Sequence, residues 1–347
     1  MIFSIDIEPT NRCNAKCSFC PRDQTPHQGL MTPEVFDQAL QRAIEFRPIG
    51  LERANWDSQI NLCGLGEPLL NKHTPEWVAR VREAGFRCGM STNGALLDEK
   101  RANAVLDAGL QSVFINVGDI DDTYEEVYQL PFEKTRDNII RFGELAKGRC
   151  DVSIVLVDYR HEPTHLTDMR TYWGAYGFEQ FVTYDVINRG GALFVDHMQY
   201  ETMSELRQAT DRLAEGPKPP VCGAPFAFLF VGYDGKYYLC CSDWKKEIAL
   251  GTVFERSFLD VTAEKFQNVL DRSSVCRTCN LDPTNQLAGE YRALADGLID
   301  AAAVDAVAAK IAQDNELVFD LVEKLQPGVT AGAAPARRRT TIPVSVV

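Results

Sequence analysis

Strand and helix patterns alternate from residue 2 to about residue 186, and no other feature restricts the possible folds of this chain as much. Runs rich in β-branched and aromatic residues stand at IFSIDIE (2–8), SQINLCG (58–64), FRCGMST (86–92), QSVFINV (111–117), CDVSIVLVD (150–158) and FEQFVTYDV (178–186). Helical patterns separate them at 32–46, 74–85, 98–109, about 133–147 and about 163–176. Two of these helices open on Thr-Pro, at Thr32-Pro33 and Thr74-Pro75. Threonine serves as N-cap there, and proline sits in the first turn, where its missing N–H has no intrahelical partner to lose. A helix between each pair of strands implies parallel pairing through right-handed crossovers. Six such units are too few to close an eight-fold barrel. The expected fold is α/β: an open, partial (β/α)6 barrel.

The pattern changes after NRGGALF (188–194). A helix is expected around 200–214, then a loop-like hinge at EGPKPP (215–220). AFLFVGYDGKYYLCC (227–241) reads as two β runs about the turn Tyr233-Asp234-Gly235. Two helical stretches follow, at about 283–297 and 301–325. From Pro327 on, the chain has no acidic residue and low complexity, which predicts a disordered tail with a solvated Arg337-Arg338-Arg339 run. The expected units are a barrel (1–195), a helix and linker (196–221), a cysteine-rich subdomain (222–285), C-terminal helices (286–326) and the tail (327–347). No internal repeat is visible.

Composition narrows the class. The formal charge, 36 − 49 = −13, argues against nucleic acid, which is gripped through clustered Lys and Arg. No apolar run approaches the ~20 residues of a membrane span. MIFSIDIEPT lacks a basic segment and a cleavage site, so a cytoplasmic location is expected. The 347-residue chain has eleven cysteines, most of them clustered: 13/17/20, 222, 240/241 and 276/279. In a reduced compartment such clustering favours metal over disulfides.

Cys13, Cys17 and Cys20 follow the C-terminal end of the first strand, where parallel α/β folds carry their active-site loops. Three thiolates can hold one corner of an iron–sulfur cubane. The next cysteine, Cys63, is 43 residues further on, which leaves one iron open to a small molecule. A zinc site or a ferredoxin-like cluster with a distant fourth cysteine also suits the spacing.

CNAKCSFC resembles the CxxxCxΦC signature of the radical S-adenosylmethionine (SAM) superfamily, with Phe19 at Φ. The resemblance implies SAM as the fourth ligand of a 4Fe–4S cluster, bound through its amino and carboxylate groups. Reductive cleavage of that SAM then gives a 5′-deoxyadenosyl radical. GLGEP (64–68) resembles the superfamily's glycine–glutamate motif, which implies Gly64, Gly66, Glu67 and Pro68 in SAM binding, with Glu67 accepting from the ammonium. STNG (91–94) implies Ser91 and Asn93 near the ribose, and Asn116 stands where relatives often carry a ribose contact. Each motif alone is an ordinary strand-end loop; together, at successive strand ends, they are specific. The resemblance covers about residues 1–190.

Cys222, twelve residues, Gly235, four residues, Cys240, then Cys276-x-x-Cys279 resembles the first part of the SPASM motif and its shortened form, twitch. That implies one auxiliary 4Fe–4S cluster on Cys222, Cys240, Cys276 and Cys279, so two clusters in all. A structural zinc on the same four thiolates is the alternative. Cys63, Cys88 and Cys150 read as buried small residues in strands. Cys241 points away from its neighbour's cluster if the run is a strand; in related epimerases such a thiol donates hydrogen. His161 and His165 read as surface residues.

The layout resembles the carbinol dehydrogenases and epimerases of aminocyclitol and aminoglycoside antibiotic pathways. The resemblance implies a small-molecule substrate, oxidation of a hydroxyl-bearing carbon to a ketone with the auxiliary cluster as electron acceptor, and an electron donor such as flavodoxin or ferredoxin. Asp185 is the candidate base, and Asn188 and Arg189 are the candidate substrate contacts. The cluster loop begins at residue 13, which leaves no room before it for a leader-binding domain. The other readings are a redox-neutral epimerase, dehydratase or decarboxylase, a peptide maturase, and a non-enzymatic iron–sulfur carrier.

Overall fold

The computed structural model describes residues 2–160, 162–193 and 204–333. His161, the start of the helix expected at 200–214, and the Arg337–Arg339 run lie outside the described residues. The first half runs β1 (Ser4–Ile7), α1 (Pro33–Ala54), β2 (Gln59–Leu62), α2 (Thr74–Glu83), β3 (Arg87–Thr92), α3 (Glu99–Asp107), β4 (Ser112–Asn116), α4 (Asp121–Tyr128), α5 (Phe132–Ala146), β5 (Asp151–Asp158), α6 (His165–Gly174) and β6 (Gln180–Asp185). Each of the six strands pairs in parallel with the next. The second half runs α7 (Ser204–Ala214), α8 (Ala224–Ala227), β7 (Phe228–Val231), β8 (Lys236–Tyr238), β9 (Ala249–Thr252), α9 (Thr262–Leu270), α10 (Ser274–Thr278), α11 (Pro283–Ala295) and α12 (Ala301–Leu325).

The two halves share one sheet. β7 lies parallel to β1, with Ser4 opposite Phe228 and Ile7 opposite Val231. Among the described residues the strand order is β6-β5-β4-β3-β2-β1-β7-β8-β9. The sequence-predicted hairpin therefore does more than carry a cysteine: it covers the edge of β1 that an open barrel would leave unpaired.

Side chains alternate across the sheet with period two. Ile5, Ile7, Ile60, Leu62, Met90, Ile115, Ile154 and Leu156 are fully buried in the main hydrophobic core. The other face is polar. Ser4, Asp6, Gln59, Asn61, Ser112, Ser153 and Gln180 line a cavity of about 590 Å³ together with Phe228. One cavity lined from β1 through β7 means that the sheet curls around it, as a partial barrel does.

Three features depart from the sequence expectation. Helix α1 continues eight residues past 46, through Pro48, to Ala54. Its end is packed in place: Gly50 lies against Phe46 and Trp56, where a Cβ would come within 2.7 Å of the indole. Tertiary packing here outweighs the proline's lost hydrogen bond. Helix α4 was not expected, and it positions the cysteine loop. Past Pro327 the chain does not simply fray: Val329–Gly332 form a 3-10 turn, and Thr330 Oγ1 donates to Glu323 at 2.6 Å.

One buried ion pair ties the halves together. Glu8 is fully buried; its Oε1 accepts from Leu65 N at 2.8 Å, and its Oε2 from Tyr233 N at 3.0 Å and Lys246 Nζ at 2.8 Å. Lys246 also lies over the Tyr238 ring at 4.4 Å. Lys246→Met leaves that carboxylate buried without its cation. We expect a loss of about 3–5 kcal/mol, read as a lower urea midpoint at unchanged slope. Adding Glu8→Gln should recover much of it, because the pair and not either charge is what the site tolerates.

Candidate active site

The cysteine loop is fastened by backbone on three sides. Lys16 N and Ser18 N donate to the carbonyls of Tyr128 and Val127 at 3.0 and 3.1 Å, which are end-of-helix acceptors of α4. Asn11 bridges to His27 O at 2.6 Å and Gly29 N at 2.8 Å. Glu67 N donates to Arg12 O at 2.9 Å. The loop's shape is thus set before any ligand arrives.

Cys13, Cys17 and Cys20 line one cavity of about 400 Å³, shared by Phe19, Gly64, Gly66, Glu67, Ser91, Asn93, Asn116, Asp185, Arg189 and Cys241. The tertiary fold thus brings these scattered positions together. Burial pushes the Cys13 thiol up to about 11, and Cys17 and Cys20 also upward. Ala15 N donates to Cys13 Sγ at 3.4 Å, and Asn93 Nδ2 reaches it at 3.7 Å. Phe19 packs between Tyr128 and Tyr159, with centroids at 5.6 and 5.1 Å.

The GLGEP loop owes its glycines to the protein's own chain. A Cβ on Gly66 would lie 2.3 Å from Arg12 O, and one on Gly64 2.4 Å from Glu8 Cγ. Glu67 is largely committed internally. Its carboxylate accepts from Thr92 Oγ1 at 2.9 Å, Asn93 N at 2.9 Å and Leu69 N at 3.1 Å. Of about four lone-pair positions on a carboxylate, one is left for a ligand. Burial raises this carboxyl to about 7. Pro68 is buried at the start of the 3-10 turn Pro68–Leu70 and does not line the cavity. Asn116 Nδ2 donates to Ser91 Oγ at 3.0 Å, joining β4 to β3 at the cavity wall.

Two expectations about the loop after β6 divide. Arg189, at φ +52°, lines the cavity with its guanidinium 5.1 Å from the Trp244 ring. Asn188 does not reach the cavity. It is 2 % exposed and clasps the CxxC segment: Nδ2 donates to Thr278 O at 2.6 Å, while its N–H and Oδ1 pair with Asn280 at 3.0 and 3.1 Å. Both polar atoms of this amide are engaged with the CxxC segment, away from the cavity. Asp185 is exposed on the cavity wall. His165 is buried beside Tyr159 with Nε2 unpartnered, not on the surface as expected.

Sequence reasoning missed Asp6, Cys63 and Trp244, all of which line the same cavity. Cys63, expected as a buried filler, sits just beyond β2 in register with the inward Gln59 and Asn61. Trp244 is 4 % exposed, and its Nε1 has no hydrogen-bond partner among the described residues. Asp6 was legible as an acid inside an apolar strand. Cys88 is fully buried in β3, as expected; Cys150 stands just before β5 and is half-buried against the core, not buried in a strand.

Cys222, Cys240, Cys276 and Cys279 line a second, small cavity. Asn285 knits the CxxC loop, donating to the carbonyls of Cys276, Arg277 and Cys279 at 3.2, 3.0 and 2.8 Å. Leu281 N donates to Cys279 Sγ at 3.4 Å, and Ser273 Oγ to Cys276 Sγ at 3.5 Å. Cys240 and Cys241 point apart, one into each cavity. Among the described residues no three His, Cys, Asp or Glu side chains converge tightly enough to hold a single metal ion. A lone zinc draws its sulfurs to about 2.3 Å. Both donor sets are free thiols, the donor chemistry that a four-iron cluster takes.

A curled parallel sheet with three cysteines off β1 defines a class, and residues 7–164 match the Radical SAM superfamily. The chain belongs to that superfamily. Residues 222–280 match the iron–sulfur cluster-binding SPASM domain, so both cysteine sets fall within matched segments. Domains of these kinds imply SAM and 4Fe–4S clusters as cofactors. Among curated proteins, the chain is 28% identical over 158 residues to a tungsten-containing aldehyde ferredoxin oxidoreductase cofactor-modifying protein of Pyrococcus furiosus, which is 45% of this chain and 38% of that protein. It is 32% identical over 142 residues to a GTP 3′,8-cyclase of Campylobacter fetus subsp. fetus, 40% of this chain and 41% of that one. The chain thus spans well under half the length of these relatives. Of solved structures, anSMEcpe with bound AdoMet and peptide aligns over 90% of this chain and 100% of that one, with TM-score 0.57 and 16% identity. That likeness is one of fold. No helix among the described residues is long and apolar enough to cross a membrane.

Proposed function

We propose that this protein oxidises a hydroxyl-bearing carbon of a sugar- or cyclitol-type molecule to a ketone, with SAM as co-substrate. Cys13, Cys17 and Cys20 would hold the SAM-binding cluster, and Cys222, Cys240, Cys276 and Cys279 the auxiliary one. When bound, the first cluster and SAM supply a reductively generated, hydrogen-abstracting nucleoside fragment, and the auxiliary cluster supplies an electron acceptor. Gly64, Gly66 and the remaining acceptor of Glu67 would receive the amino acid end of SAM, and Ser91, Asn93 and Asn116 its ribose. Phe19, wedged between two tyrosines, would shut water out of the cluster corner. Arg189 would donate to substrate hydroxyls, with the Trp244 ring beside it. Asp185 is an acid within the same wall, and a flavodoxin or ferredoxin would deliver electrons.

The observation that carries this reading is the adjacency of Cys240 and Cys241. One lines the auxiliary cavity and the next lines the substrate cavity, so an electron acceptor there would stand one residue from the reacting molecule. The polar barrel interior, continuous through Asp6, Cys63, Ser91, Asn116 and Tyr184, favours a hydroxyl-rich guest.

The same cavity supports a second reading, epimerisation, because the Cys241 thiol faces it. Cys241→Ala separates the two. Under oxidation, the product is lighter by two hydrogen atoms and the variant keeps most of its turnover. Under epimerisation, the product mass is unchanged and the variant loses turnover by at least about a hundredfold. Mass spectrometry of product beside 5′-deoxyadenosine, after anaerobic reconstitution with dithionite, reads both. Probes are a panel of inositols, amino sugars and aminoglycosides.

A further inference from the structure

Asp6 is 7 % exposed on the inward face of β1, a carboxylate in a strand otherwise built of isoleucine and serine. Ser4 Oγ at 2.6 Å and Asn61 Nδ2 at 3.3 Å both donate to Oδ1. The Cys63 thiol also hydrogen-bonds this carboxyl, and no N–H or hydroxyl among the described residues bonds Oδ2, at the wall of the cavity. Gln59 Nε2 donates to Asn61 Oδ1 at 2.8 Å and thereby aims the Asn61 N–H at Asp6. Asp6 also belongs to the wall of the 590 Å³ polar basin, so it stands where the two cavities meet.

A buried carboxylate held by one oxygen, with the other turned into a reaction cavity and an aqueous basin behind it, has the arrangement of a general base. We propose that Asp6 is the residue that takes the hydroxyl proton of the substrate and passes it to solvent through the barrel interior. This rests on the oxidation reading above. The substrate loses a hydrogen atom to the nucleoside fragment of SAM, a proton to Asp6 Oδ2 and an electron to the auxiliary cluster, which balances conversion of a carbinol to a ketone. Asp185, the base expected from sequence, lies on the exposed wall and lacks such a clamp.

Burial raises the Asp6 carboxyl to about 6, against the pull of Ser4, Asn61 and Cys63. A base must be ionised to act, so turnover rises with pH as Asp6 deprotonates and falls on its acid side. The titratable and charged groups lining the cavity are Glu67 with Cys13, Cys17 and Cys20 at the cluster corner, Cys63 at the end of β2, Cys241 after β8, and Tyr184, Asp185 and Arg189 from β6 and its loop; Asp57, Arg87 and Asp151 line the basin, and the Glu8–Lys246 pair lies beyond β1.

The test uses the reconstituted holoenzyme, with Asp6→Asn, Asp185→Asn and Ser4→Ala. Asp6→Asn keeps the shape and the Oδ1 acceptor. We expect native iron content and continued 5′-deoxyadenosine formation, product lowered at least about a hundredfold, and the acid limb of the pH profile lost. Asp185→Asn should keep that limb, whatever its effect on the rate. Infrared difference spectra of the wild-type holoenzyme against Asp6→Asn, without substrate, should show one carboxylic acid band that disappears as pH rises through the same limb. A product lighter by two hydrogens made equally well by Asp6→Asn overturns the proposal and leaves the oxidation reading standing. So does a missing infrared band, or an equal loss in Ser4→Ala with the limb kept, which marks a structural role. A wild-type product of unchanged mass overturns the oxidation reading itself, and the role of Asp6 in it.

Discussion

Cys17→Ala is expected to lower iron from about eight to about four per chain and to reduce 5′-deoxyadenosine formation to background. Cys17 lies at the centre of a loop already fixed by α4, by Asn11 and by the GLGEP backbone. The polar side chains beside Cys13 are engaged elsewhere: Asn93 with Cys13 and Asn14, and Glu67 with β3. Two thiolates do not hold a cubane corner, so the effect is all or none. Cys88→Ala is the control. That thiol is fully buried within β3, outside both cavities, and its loss should leave iron and SAM cleavage unchanged. Retention of full iron and SAM cleavage by Cys17→Ala would remove the open-iron site from this protein.

The second large effect is that of Cys276→Ala. Iron should again fall from about eight to about four, yet dithionite-driven SAM cleavage should persist, because the first loop is untouched. Ketone formation should vanish, since the electron left on the substrate has no acceptor. The CxxC loop should keep its course, because Asn285 holds its carbonyls and Asp282, paired with Arg272 at 2.8 Å, caps α11. Metal analysis is decisive here. About four irons and one zinc in the wild type would make the second set structural.

Much of this site could be read from residue order. Strand-end loops in a parallel fold gather at one edge, so Cys13–Cys20, Gly64–Glu67, Ser91–Asn93 and Asn116 were expected to meet, and they line one cavity. Helix caps were equally local: Thr32 accepts from Val35 N at 3.3 Å, and Asp98, unremarked in the sequence, does the same for Arg101 N at 3.0 Å. Roles were harder to read than positions. Glu67 was expected to face the ligand and mainly braces β3; Asn188 was expected to bind substrate and instead clasps Asn280. A polar side chain's partner depends on which distant backbone group arrives beside it, and sequence spacing carries no such information.

The amino-acid sequence alone determined the alternation, the strand-end placement of the first thiol triad and the grouping of the second four. The first two depend on periodicity or spacing within a few residues of chain; the third rests on the likeness of a longer motif, Cys222 to Cys279. Only the tertiary structure decided that β7 docks on β1, that Cys240 and Cys241 serve different cavities, and that Asp6, Cys63, Trp244 and Arg189 converge. Those contacts join residues more than fifty positions apart. They follow from which strand edges pair and how far the sheet curls, and that is settled by burial of the whole chain, not by any local preference.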